Sequence, residues 1–552
     1  MLQGRTFWEL LEKRVDATPD ALMAVDEDMR TLTFAEYWTE AELAAAGLAL
    51  AGIRAGDVVS WQLPTWIESM VLVAALSRLG AVQNPILPIY RDRELSHITK
   101  EAGTKLLVVP PVWRGFDYEE LAREVALDNG DLRVLVSDRA LPQGDPNVLP
   151  EPPRTAEDRD FEAWVPNIGD PDAEPDIHPE VLDSDPDADL GAPNSGRGRA
   201  DWIFYTSGTT SAPKGAMHTD ASLAAAARGM AQRLGLIQRD RNALVFPLSH
   251  IGGLVWLFAS LQSGCSNILT ESFNPVETTE VLAREGVTLA GSGTAFHNAY
   301  VAEQRKSLHP IFADVRAFPG GGAPKPPSLV EDVRALFDAP VLSGYGMTEA
   351  PILTMADLSD ADDELATSEG KPLHGVEIRF VAHDGTIVTG NNEGELRVRA
   401  PQMMLGYVDP ALDVEAFDDD GFFRTGDLGR MDERGNVIIT GRVKDVIIRK
   451  GENVSAKELE DLLSGHELVV DVAVIGLPDR ESGERVCAVI QVAEGDDKVT
   501  FDDVIVYLRD QGLMVQKLPE QVEFVDLLPR NQSGKVLKHV LRDEFKGSPK
   551  IG

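Results

Sequence analysis

The sequence predicts an α/β protein of two unequal parts, and three observations carry that reading. DVVSWQLP (57–64), WIESMVLVAALSRLG (66–80) and AVQNPILP (81–88) alternate strand, helix and strand, the signature of a parallel sheet covered by helices. Residues 375–440 then turn strand-rich, with GVEIRFV, GELRVRA and NVIITG separated by the turn signals DG, NNEG and RGN. After GRVKD (441–445) a short α+β piece follows: a helix in KELEDLLSG, strands in VVDVAVIGLP and ERVCAVIQV, and a helix in FDDVIVYLRDQG.

The elements can be justified in order. Thr6 and Glu9 in TFWE form a capping-box pattern, so a helix starts there and runs through FWELLEKRV. LTFAEYWTEAELAAAGLALAG (32–52) has helical periodicity and stops at Gly52. Residues 141–200 break the rhythm: Pro, Asp and Gly dominate and nothing is periodic. DSDPDAD (183–189) is no calcium loop, because proline interrupts it and the EF-hand glycine and final Glu are missing. A solvated insertion is expected there. From Trp202 the α/β alternation resumes and lasts to about Val341. The sequence contains no internal repeat.

Totals bound the function. A chain of 552 residues exceeds one ordinary domain. Its 52 Lys+Arg against 90 Asp+Glu give a formal charge of -38, which argues against nucleic-acid binding and against a basic membrane patch. Cys265 and Cys487 are far apart, without metal-ligand or CxxC neighbours, and are expected as buried small hydrophobes. The N-terminus lacks a signal-peptide core, and apolar runs such as LVWLFASL (254–261) are too short to span a bilayer, so a cytoplasmic protein is expected.

The chemistry lies in a series of short loops. YTSGTTSAPKG (205–215) follows the apolar start WIF. Its backbone N–H groups and hydroxyls can wrap an anion, and Lys214 adds a mobile positive charge. It is not a Walker A loop. PGGGAP (319–324) gives backbone room for a flat ring. In SGYGMTE (343–349), Tyr345 can stack on a base, Thr348 can bond a phosphate, and Glu349 can hold Mg²⁺. FRTGDLG (423–429) sets Asp427 in a tight turn suited to ribose hydroxyls. GRVKD places Arg442 at the domain boundary, and NQSGKV (531–536) puts Lys535 on a glycine turn.

Taken together, in this order and spacing, these motifs resemble the adenylate-forming superfamily: acyl-CoA synthetases, peptide-synthetase adenylation domains and firefly-type luciferases. The resemblance runs from the first helix to Lys535. It implies a large N-terminal domain of stacked α/β sheets plus a distorted β-barrel (1–441), a hinge (442–446) and a small mobile α+β domain (447–552). It also implies conversion of a carboxylate and ATP to an acyl-adenylate and pyrophosphate, then transfer to a thiol.

The same resemblance assigns roles. Thr206, Ser207, Gly208, Thr209, Thr210 and Lys214 would grip the β and γ phosphates. Gly321, Gly322, Ala323, Pro324, Tyr345 and Gly346 would form the adenine pocket, with Thr348 beside the phosphates and Glu349 at the magnesium. Asp427 and Arg442 match the ribose pair, Lys535 the lysine bridging carboxylate and α-phosphate, and Lys444 the hinge. His250 in FPLSHIGG matches a residue gating the pantetheine tunnel. Three positions stay open to plainer readings, His250 as a core histidine, Lys444 as a surface lysine and Lys535 as a solvated tail lysine. Ser211 stands where the family favours Gly, keeping the N–H, and the insertion before the loop is longer than the family's.

Coenzyme A is the favoured thiol, because KGENVSAKELE (450–460), with Gly451, resembles the loop that closes over pantetheine in acyl-CoA ligases. The acyl pocket is expected from Gly252, Gly253, Val255 and Trp256, from 291–294, and from Ser343 and Gly344. No Lys or Arg there awaits a second carboxylate, which favours an uncharged hydrophobic acid: medium-chain, alicyclic, or bulkier and steroid-like. A carrier-protein-loading ligase and a non-catalytic nucleotide-binding regulator are the alternatives. Partners are thus the acid, ATP and coenzyme A, with a homodimer left open.

Overall fold

The computed structural model describes residues 1–152, 199–206, 213–322, 325–449, 452–479, 483–492, 499–530 and 535–548. Ser207, Gly208, Thr209, Thr210, Ser211, Ala323, Pro324, Gly451 and most of the acidic insertion lie outside them.

The expected parallel sheet is present. Seven strands lie in the order Gly406–Tyr407, Lys214–His218, Trp202–Thr206, Val82–Pro85, Val58–Trp61, Leu106–Val109 and Arg133–Val136. The last five pair in parallel, and the first two join antiparallel at one edge. A four-stranded sheet sets Arg241–Leu244, Ser266–Leu269, Leu22–Asp26 and Thr31–Thr33 side by side. A third sheet runs Phe318–Gly321, Val341–Met347, Ala350–Met355 and Lys371–Pro372. The strand-rich stretch is a five-stranded antiparallel sheet, ordered Ile387–Val388, Glu377–Val381, Gly394–Arg399, Phe423–Met431 and Val437–Arg442.

Helices close the core through side chains the sequence placed at helical spacing. Helix Phe7–Ala17 docks on helix Ile251–Ser263, where Phe7 and Phe258 are fully buried and meet edge to face at 5.0 Å. Each such burial contributes about 1.5–3 kcal/mol. Arg14 then donates to the carbonyls of Leu261 and Gln262, satisfying the end of the second helix. The capping box expected at Thr6 is only half formed. Thr6 accepts from the Glu9 N–H, but the Glu9 carboxylate accepts from the Arg5 N–H instead of closing on Thr6. A complete box forms at the next helix, with Thr33 and Glu36.

The C-terminal part has its own sheet and its own core. Val469–Asp479 and Gly483–Val492 form a long antiparallel pair, and Gln521–Val525 adds in parallel. Leu459, Leu463, Val474, Ala488 and Leu508 pack between this sheet and helices Ala456–Leu463 and Phe501–Asp510. Both cysteines are buried and unpaired, as expected. Among the described residues no helix is long and apolar enough to cross a membrane.

Candidate active site

The glycine-rich motifs meet because their strands are neighbours. Phe318–Gly321 pairs in parallel with Val341–Met347, in a register that sets Gly321 beside Gly344. The chain then reverses into Ala350–Met355, so Thr348 and Glu349 form the tip of a hairpin. That reversal needs Gly346, since a Cβ there would lie 2.4 Å from the Ile352 nitrogen. Gly322 has φ +79 with nothing within 4 Å of a built Cβ, so it supplies a left-handed turn onto open space.

The hairpin tip is held from three sides. His218 Nε2 lies 2.8 Å from the Thr348 carbonyl, which can only accept, so Nε2 carries the proton. Its Nδ1 faces Ser222 Oγ at 3.0 Å, and burial pushes the ring down to about 4, leaving it neutral. The Met404 N–H donates to the Glu349 carbonyl at 2.8 Å. The Tyr407 hydroxyl donates to Glu349 Oε1 at 2.7 Å. Neither His218 nor Tyr407 lies in a motif that stands out in the sequence.

Lys214 begins its strand opposite Thr206, and its Nζ sits 5.5 Å from the centre of the Tyr407 ring. The ammonium and the Glu349 carboxylate therefore share one tyrosine. Among the described residues only Tyr407 hydrogen-bonds that carboxylate, and no cluster of three or more His, Cys, Asp or Glu could ligate a metal. A lone carboxylate of this kind suits Mg²⁺, which is held through one or two carboxylates plus substrate phosphates and keeps several waters.

Asp427 and Arg442 face each other across paired strands, with Arg442 Nε 2.8 Å from Asp427 Oδ1. The Tyr345 hydroxyl donates to Asp427 Oδ2 at 2.6 Å, and burial, then Asp427, raises the phenol's pKa well above normal. Asp427 is only 3 % exposed, so its charge needs these partners. Two oxygens offer about four acceptor positions, which leaves room for more donors. Lys535, from the C-terminal part, lies within electrostatic reach of this pair. Burial and the Arg442 charge push its ammonium down to about 8, against the pull of Asp427 and Asp445.

Lys444 is exposed in a short turn, Val443–Asp445. His250 is the N-cap of helix Ile251–Ser263, accepting the Gly252 N–H on Nδ1 at 3.1 Å. Burial pushes it down to about 4, so it is neutral with its proton on Nε2. A Cβ on Gly252 would meet His250, whereas one on Gly253 would meet the Leu248 backbone at 2.7 Å. Val255 and Trp256 are buried in the main core, and Ser292 bridges to Gly320, bringing 291–294 alongside the PGGG strand.

The chain is similar to known proteins along nearly its whole length. The AMP-binding enzyme family matches residues 11–408, and the AMP-binding enzyme C-terminal domain matches 458–535. The medium-chain fatty-acid–CoA ligase of Escherichia coli is 28% identical over 96% of this chain and 88% of its own length. The long-chain-fatty-acid–CoA ligase FadD13 of Mycobacterium tuberculosis is 30% identical over 98% of both chains. The crystal structure of ATP-bound MatB from Rhodopseudomonas palustris superposes with a TM-score of 0.83, at 28% identity, over 99% of both chains.

Proposed function

From the premise that the chain belongs to the AMP-binding enzyme family and is an AMP-forming acyl-CoA ligase, we propose that it joins an uncharged, hydrophobic carboxylic acid to coenzyme A through an acyl-adenylate. Supporting this reading, Lys214 and Glu349 share the Tyr407 side chain, and Lys535, from the C-terminal part, lies within electrostatic reach of the Asp427–Arg442 pair, which Tyr345 on the strand leading to Glu349 also meets.

The physics of the first step explains the charges. A carboxylate approaching a polyphosphate is repelled, by about 4 kcal/mol for two unit charges at 4 Å and an effective dielectric near 20. Lys214 and Lys535 offset this where charge develops, and Mg²⁺, when bound at Glu349, neutralises further phosphate charge. Asp427 and Arg442 orient the ribose, and Tyr345 and the glycine strands bound the base. The second step needs little more than alignment and exclusion of water, because a thiol is intrinsically nucleophilic and the mixed anhydride reactive. The small domain, 447–552, turns about the 442–446 hinge between the two steps, and the 450–460 loop closes over pantetheine.

The acid class follows from the candidate lining. Gly252, Gly253, Val255, Trp256, Ser343 and Gly344 carry no charge, and His250 is neutral, so no cation meets a second carboxylate.

Incubation with ATP, Mg²⁺ and a panel of acids, with and without coenzyme A, tests the reading by following pyrophosphate, AMP and thioester. Hydrophobic monocarboxylates are expected to yield thioester, with AMP released only when coenzyme A is present. Preference for dicarboxylates would overturn the acid class. Transfer only to a carrier protein would overturn the thiol.

A further inference from the structure

Tyr407 lies 58 residues from Glu349 in sequence yet donates its hydroxyl to that carboxylate at 2.7 Å. The same ring carries the Lys214 ammonium on its face, 5.5 Å from the centroid, within the range where a cation is attracted to an aromatic quadrupole. We propose that Tyr407 is a positioning residue for nucleotide activation, its hydroxyl aiming the metal-binding carboxylate while its ring holds the phosphate-binding lysine.

The setting of Tyr407 is rigid. Its N–H donates to Asp413 Oδ1 at 2.9 Å, and Asp413 is itself buried. Its strand pairs with Lys214–His218, Tyr407 opposite Ala216, and the Val408 N–H donates to the Gly215 carbonyl at 2.8 Å. Gly406 has φ +133, and a Cβ there would lie 2.6 Å from Asp413 Oδ2, so no other residue fits this turn without displacing the carboxylate that fixes Tyr407. Below, the ring packs in the cluster of Phe380, Leu396 and Val398. One side chain thus fixes the separation between a positive group at the start of a strand and a negative group in the turn of a hairpin. Groups that orient a metal ligand typically govern metal affinity.

The proposal rests on the reading of Glu349 as the metal carboxylate and Lys214 as the phosphate lysine. The test measures Mn²⁺ binding to the enzyme–ATP complex by electron paramagnetic resonance, alongside metal-free ATP binding by calorimetry. Tyr407→Phe keeps the ring and removes the hydroxyl. It is expected to weaken Mn²⁺ binding roughly 10- to 100-fold while leaving metal-free ATP binding at the wild-type value. Tyr407→Leu removes the ring as well and is expected to weaken metal-free ATP binding by a further factor of about two to five. Glu349→Gln separates the two levels. If it leaves Mn²⁺ binding intact, the metal placement fails and the proposal with it. If it weakens Mn²⁺ binding while Tyr407→Phe does not, the metal placement stands and the role given to Tyr407 is overturned.

Discussion

Tyr345 and Asp427, 82 residues apart, are joined by a 2.6 Å hydrogen bond from the phenol to the carboxylate, on the oxygen that Arg442 does not hold. The tyrosine proposed to bound the base therefore also touches the carboxylate proposed to bind the ribose. A ribose hydroxyl bonding Asp427 Oδ2 would share that oxygen with the phenol.

Two substitutions separate these duties. Asp427→Asn removes the charge from the hydrogen bonds, and a hydrogen bond to a charged group contributes about 1.5–3 kcal/mol. ATP affinity, measured by calorimetry, is expected to fall roughly 10- to 100-fold. Tyr345→Phe keeps the ring and frees one Asp427 oxygen, so ATP affinity is expected to hold or tighten. A loss matching that of Asp427→Asn would mean that the phenol itself is a nucleotide contact.

In its proposed role, the Lys535 ammonium is expected to give the first half-reaction a pH dependence. Its pKa is pushed down to about 8, chiefly by burial. Below that value it is protonated and can bridge two anions. As pH rises through it, the charge is lost, and kcat/KM for pyrophosphate formation is expected to fall about tenfold per pH unit above the pKa. Thioester formation from supplied acyl-adenylate runs the other way, because the thiolate of a free thiol with pKa near 8.5 becomes more populated over the same range. Lys535→Arg, whose guanidinium stays charged, is expected to flatten the alkaline fall. Lys535→Ala is expected to lose about 10²–10³-fold in adenylation while still thioesterifying supplied acyl-adenylate. Equal loss in both steps would refute the role of Lys535 in the first alone.

Gly346 and Gly322, both proposed for the nucleotide site, are glycine for different physical reasons. Alanine at 346 would drive a Cβ to 2.4 Å from a backbone nitrogen, which no side-chain movement can relieve. Gly346→Ala is expected to cost about 1–3 kcal/mol of stability and to displace the Thr348–Glu349 tip, lowering adenylation. Gly322→Ala meets no atom and bears only the left-handed backbone strain, about 1–2 kcal/mol. Thermal unfolding together with pyrophosphate release checks both. Adenylation retained in Gly346→Ala would show that the hairpin need not be closed.

Much of this site was legible because its parts are local. YGMTE, TGD and GRVKD are short strings whose residue types carry chemistry, and the strands that align them alternate in the sequence. Tyr407 and His218 were not legible, because each acts across the fold. Gly406–Tyr407 is a two-residue strand at a sheet edge with no periodicity of its own. His218 ends the strand after Lys214, where it reads as one more residue of a loop-to-helix junction. Thr6 failed for a subtler reason. The TFWE pattern was correct as a helix start, but the Glu9 carboxylate had a nearby competitor in the Arg5 N–H.

Lys444 stands between two anchors that belong to different parts of the chain. On one side Arg442 is paired with Asp427 of the large domain. On the other, Asp445 is held by Arg542 at 2.6 Å and faces Lys538 at 3.9 Å, both on the C-terminal helix Lys538–Phe545. Lys538 also meets Glu460 at 2.7 Å, tying that helix to Ala456–Leu463. A change of backbone angle at the exposed Lys444 would move the second set as a unit against the first. Lys444→Pro fixes φ there. The arrangement that brings Lys535 to Asp427 already exists, so adenylation is expected to persist. Thioester formation, for which the rotation is proposed, is expected to fall by roughly 10²-fold, the loss typical of a misplaced reactant. Single-turnover assays of the two half-reactions separate these outcomes, and unimpaired thioester formation would remove Lys444 as the hinge.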